Sequence, residues 1–526
     1  MQKKIFSKSL IFIVIFLFLV ASFTTIIPGN SKKSIHSSEL FNLSISNKTK
    51  FQNSVDIIFD YEDTNGMFKP FSEINCGPLP NHNINGVDLT NQYNQVDISF
   101  IRTHDFSGPT DISSIFPNWS ANPNLESSYD FQASDKYILG IINAGCKVFY
   151  RLGESASTDK NLRIPPENFT KWAEICKHIV MHYNNGWNTG FFYNITYFEI
   201  WNEPDLDGFW TGTAIDYYKL YQITAKTLKS YDVSLKIGGP CTSSLDNYNY
   251  TSGFLKYVTE NNVPIDFFSW HQYADTPYQL YLSSQNVREL LDFYNLINCE
   301  NINTEWNINI LTPQRDKDNV KNAAFTTCCL SAFQDAGIDY SFRYRGTQDP
   351  SWLMRLIGFD LSLFTYNGIY KNPALSYLAM NYLIKDSPIR LNTPIIDASS
   401  GITYLGGKSE DNTNVSIIIS NFDGGDTNYN LEISDLPWGG SYKAIHYNID
   451  SSNHLEITLE EISLLKTYSI NKNLKDSTVH FIRLTNSSTI SEEGPNIAPI
   501  PLLLRLKILD PLTRILGLLL LIIFFG

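Results

Sequence analysis

The chain has 526 residues, and 40 basic against 53 acidic side chains leave a net charge of −13. With 43% hydrophobic and 18% charged residues it is a globular chain with room for two folded domains, not a disordered one. No basic stripe is present, which excludes nucleic acid as a partner. Aromatic residues reach 14%, which suits a large core and carbohydrate-contacting surfaces alike. The seven cysteines, at 76, 146, 176, 241, 299, 328 and 329, form no CxxC and no Cys/His ligand spacing, so no metal is expected. They read as buried, small apolar residues, with disulfides left open for an exported chain.

The N-terminal 1–30 sets Lys3, Lys4 and Lys8 before an apolar run from Leu10 to Val20, the pattern of a signal peptide or signal anchor. Residues 31–54 are a polar stalk. From 55 to 386, strand-like runs alternate with helix-like segments. The strands are VDIIF (55–59), DISFI (97–101), KVFY (147–150), TYFEI (196–200), SLKIGG (234–239), DFFSW (266–270), NINTEW (301–306) and DYSFRY (339–344). Helix patterns fall at 134–145, 167–182, 213–230, 283–297 and 317–336. This alternation predicts an α/β fold, a (β/α)8 TIM barrel, with a doubly wound open sheet as the alternative. No glycine-rich phosphate loop succeeds any strand, which weakens a nucleotide-binding reading.

After about 387 the texture becomes short alternating strands with polar turns, so residues 387–485 read as a C-terminal all-β, sandwich-like accessory domain. A linker (486–500) leads to a hydrophobic tail (501–526), apolar from Ile515 to Phe525 but interrupted earlier by Arg505, Lys507, Asp510 and Arg514. That tail is short for a bilayer span of roughly 20 residues and suits membrane attachment. Eight N-x-S/T sequons, at Asn42, Asn47, Asn118, Asn168, Asn194, Asn249, Asn414 and Asn486, fit an exported glycoprotein with its folded part outside the cell.

The chemistry concentrates in FEIWNEPDLDGFW (198–210). Pro204 disfavours continuing the strand, so it stops near Glu203. In a barrel that end of a strand is the reactive face. Glu305, in NINTEWNI, is the other acid so placed. It lies about three barrel units of roughly 31 residues further on, so strands four and seven carry the two carboxylates across the mouth. Facing carboxylates are what glycoside hydrolysis needs, one protonated and one ionised, with no cofactor and no metal. Asn202 is positioned for a sugar hydroxyl. His178 and His182 have i, i+4 spacing but no HExxH glutamate, and read as helix-surface residues. Cys328 and Cys329 read as helix packing.

IWNEP with a later TEW resembles the retaining glycosidases of clan A. With IRTHD (101–105), DFFSWHQY (266–273) and YKNPALSYLAM (370–380), the chain over roughly 55–485 resembles glycoside hydrolase family 39, the β-xylosidase and α-L-iduronidase family. The resemblance implies Glu203 as acid/base and Glu305 as nucleophile, with a covalent glycosyl-enzyme between them. It implies that Asn202 contacts the 2-hydroxyl, that His104 binds sugar, and that His271 and Tyr273 form a polar pair beside the nucleophile. It makes Trp306 a wall of the sugar site. The segment 342–359 departs from the family pattern, and Arg345 and Asp349 are candidates for sugar contacts there. The expected partner is a glycoside, oligosaccharide or polysaccharide, with the membrane engaged through the termini. The alternatives are another clan A activity, β-glucosidase or endo-glycanase, and a non-catalytic cell-surface glycan-binding protein.

Overall fold

The computed structural model describes residues 54–79, 87–104, 108–155, 160–348 and 358–486. The N-terminal apolar run, nearly all of the linker, the hydrophobic tail, and the sequons at Asn42 and Asn47 lie outside these residues. Among the described residues no helix is long and apolar enough to cross a membrane.

Two strands come first, β1 (Ser54–Asp60) and β2 (Thr64–Met67). Eight more, β3 (Ile74–Asn75), β4 (Phe100–Arg102), β5 (Lys147–Leu152), β6 (Tyr197–Ile200), β7 (Lys236–Thr242), β8 (Phe267–Ala274), β9 (Glu300–Ile308) and β10 (Tyr340–Arg343), close a parallel barrel. Strand parity sorts their side chains. Phe100, Phe149, Tyr197, Phe267, Ile302 and Phe342 meet inside and plug the lower barrel. The residues between them, such as Ile101, Val148, Tyr150, Phe198 and Ile200, join the large core outside the barrel. Both faces are buried, so these strands read as apolar runs rather than strict alternations.

The helices begin where the sequence offers caps. Thr213 and Asp216 form a capping box at Ala214–Tyr231, and Thr276 with Gln279 form another at Pro277–Phe293, with Pro277 in the first turn. The second helix therefore starts earlier than the 283–297 expected from periodicity. Helix Val320–Phe333 is buried on nearly every face. It lies between barrel and accessory domain, where Phe325 meets Phe422 and Ser420 donates to the Ala324 carbonyl at 3.1 Å. Cys328 and Cys329 are buried within it, and all seven cysteines are buried and unbonded to one another.

The accessory domain adds β11 (Ile389–Leu391), β12 (Ile402–Lys408), β13 (Asn414–Asn421), β14 (Thr427–Ser434), β15 (Tyr442–Ile449), β16 (His454–Ser463), β17 (Tyr468–Leu474) and β18 (Thr478–Thr485). Its sheets run β1-β14-β17 and β16-β15-β18-β13-β12-β11-β2. They share a core that includes Ile57, Phe59, Ile417, Leu431 and Ile482. The placement of residues 55–59 as the first barrel strand is therefore corrected: β1 pairs in parallel with β14. The physical reason is alternation. Ile57 and Phe59 are buried while Asp56, Ile58 and Asp60 face solvent, the pattern of a sandwich strand rather than of a strand buried on both faces. The first barrel strand is the two-residue β3, too short to leave a periodic signal.

Candidate active site

Two local irregularities aim the paired acids. Beyond β6, Trp201 has φ 78° and Glu203 has φ 44°, conformations that cost non-glycine residues about 1–3 kcal/mol each. Surrounding contacts hold them: the Trp201 amide donates to the Leu152 carbonyl at 2.7 Å and the Glu203 amide to the Cys241 carbonyl at 2.9 Å. On β9 the register against β8 jumps from Asn303 opposite Trp270 to Glu305 opposite His271. Thr304 is thus an extra residue. Such a bulge re-aims the side chains beyond it. It turns Glu305 into the mouth, and Trp306 outward against Phe333 at 5.3 Å.

A dense network surrounds the pair. Arg102, fully buried, donates from Nε to Glu199 Oε2 at 2.7 Å and from Nη1 to Asn75 Oδ1 at 3.0 Å and Glu305 Oε2 at 3.5 Å. Its Nη2 donates to Asn202 Oδ1 at 2.8 Å and to Cys241 Sγ at 3.0 Å. Tyr273 donates its hydroxyl to Glu305 Oε1. His271 Nδ1 lies 2.8 Å from Glu203 Oε1 and 3.9 Å from Glu305 Oε2. Asn202 Nδ2, also buried, has no protein partner among the described residues, which leaves a donor for a ligand hydroxyl.

The two carboxyl groups differ electrostatically. Glu203 is pushed up to about 8, first by burial and then by the charge of Asp205, while Arg102 opposes the rise. Burial also raises Glu305, and so does the charge of Glu203, while Arg102 and the Tyr273 hydroxyl oppose the rise. Glu203 is thus suited to keep a proton around neutrality, as the acid of an acid and nucleophile pair requires. His271 is lowered to about 4 by burial, so its imidazole is neutral.

Of the other residues expected here, Asn202, His271 and Tyr273 join this network. His104 is buried just beyond β4, held far below its ordinary value by burial and by the charge of Arg102. Trp306 does not line the site, because the Thr304 bulge sends it into the helix layer. Arg345 is buried beyond β10 and donates from Nε to the Thr347 carbonyl at 2.7 Å. Asp349 lies outside the described residues. Arg102, Glu199 and Cys241 are members of the network that sequence reasoning does not single out. The available signal for Arg102 is a charged residue two positions after Phe100, on the inward face of a buried strand. His178 and His182 are buried rather than on a helix surface. His182 lies 2.9 Å from both Asp135 Oδ1 and the Trp187 carbonyl and stacks on Phe131, and His178 Nδ1 is 2.9 Å from the Glu174 carbonyl.

Glu203, His271 and Glu305 each offer a ligand atom within 4.8 Å of the others. The Arg102 guanidinium among them disfavours a cation, and a proton-handling pair is the better fit.

A closed barrel whose strand ends present two facing glutamates, one of them raised to about 8, defines a glycosidase-type site. Residues 62–349 match the sequence model described as Glycosyl hydrolases family 39. The chain belongs to that family. A β-xylosidase from Caldicellulosiruptor saccharolyticus is 37% identical over 133 residues, 24% of this chain and 25% of that protein. A β-xylosidase from Geobacillus stearothermophilus is 28% identical over 191 residues, 34% of this chain and 37% of that protein. The matched stretches thus span well under two thirds of those relatives. The solved glucosidase from Croceicoccus marinus superposes with a TM-score of 0.72 at 22% identity, over 83% of this chain and 100% of its own, a likeness of fold.

Proposed function

We propose that this protein is a retaining glycoside hydrolase that cleaves terminal glycosidic bonds by double displacement, with Glu305 as nucleophile and Glu203 as acid/base. The observation that carries the reading is the pair itself: one carboxyl oxygen of Glu203 lies within 4.8 Å of one of Glu305, and Glu203 is raised to about 8, first by its burial. Retaining enzymes hold their carboxyl groups about 5–5.5 Å apart, whereas inverting ones leave about 6.5–9.5 Å for a water.

In the first step a Glu305 oxygen attacks the anomeric carbon as Glu203 passes its proton to the departing oxygen. The glycosidic bond breaks and a glycosyl ester forms on Glu305. Glu203, now ionised, takes a proton from water, whose oxygen displaces Glu305 and restores both groups. Asn202 Nδ2 supplies a donor for a sugar hydroxyl, and such bonds strengthen as charge develops. Both carboxylates and their divided environments weigh against a merely glycan-binding protein. Membership in the family and the two relatives favour a β-xyloside as substrate, with an α-L-iduronide second. The basic-apolar N-terminus and the apolar tail support an exported enzyme held at the cell surface.

The test is a panel of aryl β-xyloside, α-L-iduronide, β-glucoside and α-L-arabinoside substrates with two variants. Glu305→Ala loses turnover by roughly 10⁴-fold or more, and azide restores part of it as a glycosyl azide of inverted configuration. Glu203→Ala spares substrates with good leaving groups. Wild-type rates in both variants on an accepted glycoside sink the assignment.

A further inference from the structure

The Cys241 thiol sits inside the network, and two of its residue's contacts lead to the acid/base. The Cys241 carbonyl accepts from the Glu203 amide at 2.9 Å, and the sulfur lies 3.0 Å from His271 Nε2. The other ring nitrogen of His271 lies 2.8 Å from Glu203 Oε1. Cys241 thus grips Glu203 from two directions, once through the backbone and once through an imidazole.

The protons on this chain of atoms are set by its partners. Burial pushes the Cys241 thiol well above its ordinary value, so the sulfur carries a hydrogen. Arg102 Nη2, 3.0 Å away, donates to the sulfur and occupies a lone pair. The S–H hydrogen has three acceptors in reach: His271 Nε2 at 3.0 Å, Asn202 Oδ1 at 3.7 Å and Thr304 Oγ1 at 3.8 Å. The imidazole is much the nearest. A neutral histidine that accepts at Nε2 carries its hydrogen on Nδ1. Nδ1–H then donates to Glu203 Oε1, which leaves the Glu203 proton on the other oxygen, free to meet a leaving group.

We propose that Cys241 is a positioning residue that fixes the Nδ1–H tautomer of His271 and so keeps the acid proton of Glu203 directed at the leaving group rather than at the histidine. The inference rests on the glycosidase reading and deepens it. Without the thiol donor, the tautomer with hydrogen on Nε2 gains ground. Its bare Nδ1 then accepts the Glu203 hydrogen and withdraws it from the reaction.

The experiment compares wild type, Cys241→Ala and Cys241→Ser on phenyl and 2,4-dinitrophenyl glycosides of the sugar the panel identifies. Cys241→Ala is expected to lose roughly tenfold or more in kcat on the phenyl glycoside, whose departure needs the proton, and less than about threefold on the dinitrophenyl one. Cys241→Ser, which keeps a donor, recovers most of the phenyl rate. Long-range proton–nitrogen spectra of ¹⁵N-histidine protein, with His271→Asn to assign the signal, show Nδ1–H in wild type and Cys241→Ser and a shift toward Nε2–H in Cys241→Ala. Equal loss on both glycosides, or an unchanged tautomer in a folded Cys241→Ala protein, overturns the proposal. A wild type inactive on every glycoside overturns the glycosidase reading instead, and the spectra still read the tautomer.

Discussion

The floor and the mouth of the barrel are built by the same strands. Phe100 precedes Arg102 by two residues, Tyr197 precedes Glu199 by two, and Phe267 precedes His271 by four. Below, six side chains make an aromatic and aliphatic plug whose energy is the burial of apolar surface, about 25 cal/mol per Å². Above, Arg102 and Glu199 are fully buried at 2.7 Å from each other, and Glu203 holds a proton far above its ordinary range. A hydrophobic pair of the same volume would stabilise the mouth at least as well as the buried ion pair does. The floor therefore carries stability, and the mouth carries chemistry while giving some stability up.

The largest expected effect that separates them is Arg102→Met. It leaves Glu199 buried without its cation and is expected to cost about 3–5 kcal/mol of stability. It also removes a donor from Glu305 and from Asn202, and should lower kcat/KM by roughly 10²–10³-fold. Denaturant unfolding and steady-state kinetics on one preparation measure both. Phe149→Ala, in the floor, should cost a similar 3–5 kcal/mol, in round terms about the loss typical of a core cavity, yet leave kcat within about threefold below its melting transition. If Phe149→Ala cuts activity as deeply as Arg102→Met, the division between floor and mouth fails.

The pH profile separates the two regions further. Glu203 must carry a proton to act as acid, so kcat/KM falls as pH rises through about 8. Glu305 must be ionised, so activity also falls on the acid side, at a pH above the usual carboxylate range. Glu203→Gln should abolish the basic limb on an activated substrate. Stability obeys the opposite logic from a salt-bridged acid. The folded-state value of Glu203 is raised, so its contribution is full below the unfolded value and lost as pH rises toward about 8. Glu203→Gln is therefore expected to gain melting temperature over wild type in alkaline buffer, above the folded-state value, but not in acid buffer, below the unfolded one. No alkaline gain would show that Glu203 ionises without penalty. The smallest effect is expected for Trp306→Phe, which changes the helix layer and should leave KM unchanged while lowering stability.

The barrel and both glutamates are legible because strand ends carrying acids at the spacing of barrel units leave a pattern in the sequence. The helix start at Pro277 is legible only through its cap. The hidden part depends on geometry that no periodicity records. A single inserted residue, Thr304, decides that Glu305 faces the mouth and Trp306 does not. The two-residue β3 has no period to read, so VDIIF stands out as the nearest barrel-like run although its exposed Asp56 and Ile58 mark a sandwich strand. Cys241 reads as one more apolar cysteine until its neighbours are known, and the burial of His178 and His182 depends on the loop that covers them.

The nucleophile is the centre of the chemistry. The direct measurement is mass spectrometry of the protein after exposure to a 2,4-dinitrophenyl 2-deoxy-2-fluoro-glycoside of the preferred sugar, which slows release of a covalent intermediate. With Glu305 as nucleophile, each chain gains a single fluorosugar, on the peptide that contains Glu305, and activity is lost in step with labelling. A label on Glu203, or full inactivation without a bond to Glu305, would rule that role out.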